Sequence, residues 1–277
     1  MARHRIAILL SGRGSNMQAL VDAASAADCP YEVVLVASDR PDAPGLAWAA
    51  AHGIATFAHS PRGIPKAEYE AAIDGALRAA DAEVVALAGY MRLLSDGFVQ
   101  RWRGRIVNIH PSLLPLYKGL DTHARALASG DAVAGCSVHV VTEELDAGAV
   151  IGRAEVPVIA GDTPDALAAR VLVEEHRLYP RCLAAFVRAA DGLGRVRAVA
   201  SLLPEVSERD VDGTAEFAVA GEAFVQVPPA AALRIRAEDG WQEVALNGDT
   251  DWTLVEDAVA RGWELSAPRG LLEAGGR

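Results

Sequence analysis

Short apolar runs rich in Val, Ile and Leu recur through the first part of the chain: "RIAILL" at 5–10, "YEVVLVAS" at 31–38, "IATFAH" at 54–59, "EVVALAG" at 83–89 and "RIVNIH" at 105–110. Between them "NMQALVDAASAA", "APGLAWAAAHG" and "PKAEYEAAIDGALRAAD" carry apolar positions at helical spacing, with Gly or Asp near their ends. Strand, crossover helix, strand is the pattern of a parallel α/β sheet. "AGCSVHVV" at 134–141 and "AVIGRAEVPV" at 149–158 then predict two strands joined by a longer turn, paired as a hairpin or extension at a sheet edge.

The segment 162–192 opens on an Asp or Thr cap and keeps an apolar stripe past Tyr179, with Pro180 expected to kink or split it into two helices. After "DGLGR" at 191–195 lysine disappears and carboxylates increase. Short alternating stretches such as "AEFAVAGEAFVQV" and "AALRIRA" follow, with a last helix near 251–261. The expected organisation is therefore an α/β domain over 1–192, built on an open, mostly parallel twisted sheet with flanking helices. A small separate α+β unit follows over 196–277.

Composition narrows the function classes. A chain of 277 residues, 51% apolar, can bury a sizeable core. The net charge of −11, with lysine only at Lys66 and Lys118, argues against wrapping nucleic acid or coating an anionic membrane. Cys29, Cys136 and Cys182 share no metal-like or redox spacing and suit buried thiols in a reducing compartment, so cytoplasm is expected. The start "MARHRIAILLSGRGS" has too short an apolar run for a signal-peptide core or a membrane span.

Two stretches carry chemistry. "SGRGSNMQAL", Ser11 to Leu20, follows a strand and opens a helix, so backbone N–H groups converge where an anion can sit. Met17 replaces the third glycine of the dinucleotide fingerprint and no Lys-Ser/Thr follows, which leaves a monophosphate as the natural guest. A tight turn capped by Ser15 or Asn16 is the plain alternative. In "IVNIH", Asn108 and His110 share one strand face and look into the crevice beyond the carboxyl ends of the strands. An amide donor beside an imidazole suits a reaction that builds charge on a carbonyl oxygen and moves a proton. Pro111 and Pro115 hold the following chain extended, away from that pair. Asp146, in the turn "TEELDAG", can reach the same crevice or serve simply as a turn residue before Gly148.

Taken together and in order, "SGRGSN", "NIHPSLLPLYKGLDTH", "GCSVHVVTEELDAG" and "EEHRLYP" closely resemble the folate-dependent phosphoribosylglycinamide formyltransferases, over roughly residues 4–190. The resemblance implies a Rossmann-like formyltransferase fold, with 10-formyltetrahydrofolate as cosubstrate and no metal. It implies a catalytic set of Asn108 to hold the formyl oxygen, His110 as general acid, and Asp146 to raise the histidine pKa and organise proton movement. Gly14, Ser15 and Asn16 would bind the phosphate of glycinamide ribonucleotide, and Glu175, with Glu174 close by, its glycinamide end. Met91, Arg92, Leu93 and Leu94, the loop Thr142, Glu143, Glu144 and Leu145, and Lys66 would serve the folate, together with Asn108. His123 and His139 match supporting positions that read equally as core or turn residues. Two positions depart from the family pattern. Lys66 stands where an arginine is common, keeping the charge but losing the planar fork, and Asp121 stands where several relatives carry histidine.

The expected partners are these small molecules, with no nucleic acid or membrane and a homodimer as the assembly considered. The Asn-x-His pair with its later Asp is shared by formyl hydrolases, so a formyltetrahydrofolate hydrolase is the nearest rival. A nucleotide-binding regulatory protein on the same fold is the rival from another class. The tail from about 197 resembles in outline the MmcQ/YjbR-like module, for which a packing or oligomerisation role is expected.

Overall fold

The computed structural model describes residues 3–229, 232–246 and 250–275. The chain divides into two compact units, Met1–Ala184 and Ala185–Arg277.

In the first unit β1 (His4–Leu10), α1 (Ser15–Ala24), β2 (Tyr31–Ser38), α2 (Pro44–Ala51), β3 (Thr56–Ala58), α3 (Lys66–Ala79), β4 (Val84–Leu87), α4 (Asp96–Arg101) and β5 (Ile106–His110) follow in order. Then come α5 (Thr122–Ser129), β6 (Val133–Val140), β7 (Val150–Pro157) and the start of α6 (Pro164–Ala200). The seven-stranded sheet has the order β3-β2-β1-β4-β5-β6-β7. Pairings from β3 through β5 are parallel, and β6 and β7 extend the edge antiparallel. Connections leave β1 in one direction and resume at β4 in the other, which puts the topological switch point, where such sheets bind ligands, between these strands.

The apolar runs of β1 and β4 are buried because a central parallel strand is covered on both faces, whereas β3 at the sheet edge is largely exposed. On one face Ala7 and Leu9 of β1, Leu35 and Ala37 of β2, and Val85 and Leu87 of β4 pack with Tyr69, Ile73 and Leu77 of α3. Each buried Val, Leu or Ile among them contributes on the order of 1.5–3 kcal/mol of transfer free energy. Tyr179 of α6 is fully buried, and its hydroxyl reaches Leu87 O at 3.1 Å and Val107 O at 3.0 Å, tying β4 to β5 one residue before Asn108.

α6 is one helix, with Pro180 inside it and 191–195 helical. Gly192 is not a breaker there. A Cβ at that position would fall 2.7 Å from Leu246 Cδ1 and 3.2 Å from Trp252, so packing demands the small residue.

The second unit combines the end of α6 with β8 (Val206–Val211), β9 (Thr214–Val219), β10 (Glu222–Val227), β11 (Leu233–Ala237), β12 (Gly240–Val244), α7 (Trp252–Ser266) and α8 (Arg269–Gly275). Its antiparallel sheet has the order β12-β11-β10-β9-β8. Phe217, Phe224 and Ile235 pack against Val255, Val259 and Trp263 of α7 and Val196 and Ala200 of α6. Among the described residues, no helix is long and apolar enough to cross a membrane.

Candidate active site

The loop after β1 is held from two sides. Ser11 N–H donates to Gly89 O at 3.1 Å, and Ser11 Oγ accepts from Met91 N–H at 2.9 Å, joining the ends of β1 and β4. α1 starts without a side-chain cap: the N-cap is Gly14 at φ 75°, not Ser15 or Asn16. That left-handed backbone favours glycine, and a Cβ there would meet Leu10 Cδ2 and Met17 Cε at 3.0 Å. The first N–H groups of α1 thus have no side chain competing for them.

Asn16 is buried for another reason. Its Nδ2 donates to Glu175 Oε2 at 2.7 Å, across a sequence separation of 159 residues. Burial raises the Glu175 pKa above the ordinary carboxylate value, opposed by the Asn16 hydrogen bond and the nearby His110. Glu175 therefore ties α6 to the loop after β1. Glu174 turns elsewhere, pairing with Arg177 at 2.6 Å.

Strand pairing assembles the polar group. Asn108 lies opposite His139 in the β5–β6 ladder, and His110 opposite Ser137. His139 Nδ1 faces Val140 O at 3.0 Å and Nε2 faces Asn108 Nδ2 at 3.2 Å. Burial lowers the His139 pKa, so the ring is neutral, with Nδ1–H donating to the carbonyl and Nε2 accepting from the amide. This fixes the Asn108 amide and leaves its second Nδ2 proton for a ligand.

Asp146, at φ 48°, brings its carboxylate between the two histidines: Oδ2 is 3.4 Å from His110 Nδ1 and Oδ1 is 3.6 Å from His139 Nε2. Gly119 N–H donates to the same Oδ2 at 2.9 Å. The turn that carries Asp146 closes tightly, since a Cβ on Gly148 would lie 1.8 Å from Val140 O. His110 Nε2 lies 3.0 Å from Tyr117 O, so the ring sits between a carboxylate and a carbonyl.

The stretch after His110 does not run extended away from the pair: it turns, with Leu116 N–H donating to Leu113 O at 3.0 Å, and brings Tyr117 O back to His110 Nε2, because backbone turn bonds are closed between the two prolines. It is pinned by groups that local sequence patterns do not flag. Leu114 N–H donates to Ser137 Oγ at 3.0 Å, Arg153 Nε–H to Leu114 O at 3.0 Å, and Tyr117 OH to Asp131 Oδ2 at 2.5 Å. His123 Nε2 is buried without a hydrogen-bond partner, and burial first, then His110, lowers its pKa. Asp121 is the left-handed residue before α5, at φ 57°.

The remaining residues form a looser rim. Met91 and Leu93 are 64% and 68% exposed and Leu145 is 48% exposed, whereas Leu94 packs against the core beside α3. Arg92 lies over the Tyr69 ring at 5.1 Å. Thr142 Oγ1 donates to Glu144 O at 3.2 Å, Glu143 pairs with Arg103 at 2.7 Å, and Glu144 with Lys118 at 3.0 Å. Lys66 starts α3 and points to Glu70 at 3.8 Å.

The arrangement is a glycine-opened loop at the start of α1, tied by Asn16 to Glu175, together with a cluster of amide, imidazole and carboxylate at the end of β5. The formyl transferase family matches residues 4–183, which takes in every one of these groups. The chain belongs to that family. Phosphoribosylglycinamide formyltransferase of Escherichia coli is 46% identical over 188 residues, covering 68% of this chain and 87% of that protein. The trifunctional purine biosynthetic protein adenosine-3 of Drosophila melanogaster is 43% identical over 210 residues, 75% of this chain but only 15% of its own length. The chain thus spans under a fifth of such trifunctional relatives. The crystal structure of the Brucella melitensis phosphoribosylglycinamide formyltransferase superposes with a TM-score of 0.65 at 52% identity, covering 67% of this chain and 96% of that one. The second unit lies beyond the family match, which ends one residue before the boundary at Ala184.

Proposed function

We propose that the chain transfers the formyl group of 10-formyltetrahydrofolate to the amine of 5'-phosphoribosylglycinamide, giving formylglycinamide ribonucleotide and tetrahydrofolate, a step of purine synthesis. The observation that carries this reading is the bond from Asn16 to Glu175, a carboxylate that also feels the charge of His110, which supports one crevice for the phosphate loop and the formyl site. A hydrolase needs no such acceptor seat.

In this reading the phosphate rests on the N–H groups of Gly14, Ser15 and Asn16, and Glu175 meets the glycinamide end. The exposed apolar Met91, Leu93 and Leu145 offer a surface for the pterin ring. The amine nitrogen bonds to the formyl carbon, and the carbonyl electron pair moves onto oxygen. That oxyanion accepts a hydrogen bond from the second Nδ2–H of Asn108 and competes with the neutral Tyr117 carbonyl for the Nε2–H of His110, a contest a charged acceptor wins. Asp146, already on His110 Nδ1, balances the imidazolium. As the bond from carbon to N10 breaks, the proton lost by the amine passes through Asp146 and water to N10.

The test is tetrahydrofolate release from 10-formyltetrahydrofolate with and without glycinamide ribonucleotide. Release that requires the nucleotide is expected. Release without it would replace this reading with the hydrolase, and none in either condition would leave a binding protein.

A further inference from the structure

Gly45 lies outside the glycine-rich loop, yet it lies against that loop at Gly12 and Gly14. As the second residue of α2, its N–H has no partner within the helix, and it donates instead to Gly12 O at 3.1 Å. A Cβ at Gly45 would fall 2.8 Å from Leu10 Cδ2 and 3.1 Å from Gly12 O. A Cβ at Gly14 would lie 3.3 Å from Gly45 Cα, so the helix start and the loop are in close contact. Gly12 itself is under no such constraint, since nothing lies within 4 Å of a Cβ placed there.

The peptide joining Gly12 to Arg13 is trans, because the chain's one cis bond among the described residues is Leu114-Pro115. In a trans peptide the C=O and the following N–H point in opposite directions. With the Gly12 carbonyl turned into α2, the Arg13 N–H points away from α2. Gly14 follows in the left-handed region, and successive N–H groups across such a reversal form an anion-binding concavity.

From this geometry we infer that Gly45 is a positioning residue for phosphate recognition: α2 takes the Gly12 carbonyl and thereby aims the Arg13 N–H at the phosphate, beside the N–H groups that open α1. The inference rests on the phosphate-anchored acceptor proposed above and adds a residue from a second helix to it. A glycine in the first turn of a helix costs helical propensity, and here it is spent on close approach to the loop.

Gly45→Ala forces either the Leu10 side chain or the loop to shift. The expected result is a rise of about tenfold or more in the dissociation constant of ribose 5-phosphate, measured calorimetrically, and a matching rise in KM for glycinamide ribonucleotide. The kcat and the KM for 10-formyltetrahydrofolate should stay within about twofold of the parent. The double variant Leu10→Val, Gly45→Ala removes the overlap with Leu10 Cδ2 and retains the one with Gly12 O, so it should fold with the same phosphate defect. Gly75→Ala in α3, where a Cβ meets nothing within 4 Å, should leave both constants unchanged. Unchanged ribose 5-phosphate affinity in the Gly45 variants, equal losses for both substrates, or a parent that binds no ribose 5-phosphate would overturn the inference. A parent that binds ribose 5-phosphate but transfers no formyl group would overturn the proposed reaction and leave the phosphate seat standing.

Discussion

Asn108 and His139 face each other across the β5–β6 pair, the amide Nδ2 donating to the imidazole Nε2 at 3.2 Å. The histidine fixes which end of the Asn108 amide looks into the crevice. His139→Ala should therefore lower kcat by about ten- to a hundredfold while leaving both KM values near the parent, because a misdirected amide is lost chiefly in the transition state. Asn108→Ala should cost on the order of a hundredfold or more. Steady-state kinetics of folded variants checks both, and near-parental kcat in either would remove that residue from the oxyanion site.

Tyr179 makes a separable contribution. Its hydroxyl is fully buried between the carbonyls of Leu87 and Val107, so Tyr179→Phe leaves those acceptors short of a donor. The expected loss is about 1–3 kcal/mol of unfolding free energy. A lower urea midpoint at unchanged slope would show it; an unchanged midpoint would mean the hydroxyl bonds contribute nothing net.

Glu175 sets stability against function. Burial raises its folded-state pKa, so between the ordinary glutamate value and the raised one the native protein holds a proton that the unfolded chain has lost. Stability then falls as pH rises through that window, and the deficit persists above it. Glu175→Gln keeps an oxygen for Asn16 Nδ2 and abolishes the titration. The variant should melt above the parent at pH 8, with the gap closing as the pH falls below the ordinary glutamate value, and with a raised KM for the nucleotide. Parallel melting curves across pH would contradict this.

Two neighbouring glycines of α6 should respond with opposite signs. Gly194→Ala places its Cβ in open space and should gain about 0.5–1 kcal/mol from helix propensity and lost chain entropy. Gly192→Ala meets Leu246 and Trp252 and should lose about 1–3 kcal/mol to overpacking. Chemical denaturation of the two variants decides it, and a gain at Gly192 would show that Leu246 yields without cost.

Local periodicity was enough for much of the architecture. The runs at 5–10, 31–38 and 105–110 are strands β1, β2 and β5 within a residue, since continuous burial on both faces leaves an unbroken apolar run. The hairpin after residue 133 and the separate tail sheet were equally legible. The two-residue period of a strand was sufficient to put Asn108 and His110 on one face, and the glycines of "SGRGSN" to mark the turn that opens α1. What joins these pieces required the tertiary structure. The Asn16 bond to Glu175, the Tyr179 clamp, the Arg153 hold on Leu114 and the Gly45 contact with Gly12 connect elements far apart in the chain. The same holds for Leu94, which packs into the core, and for Gly192, which lies within a helix where composition marked a boundary. Periodicity reports which side of an element is buried, but not what it is buried against; that depends on the strand order and helix crossings that only the folded chain defines.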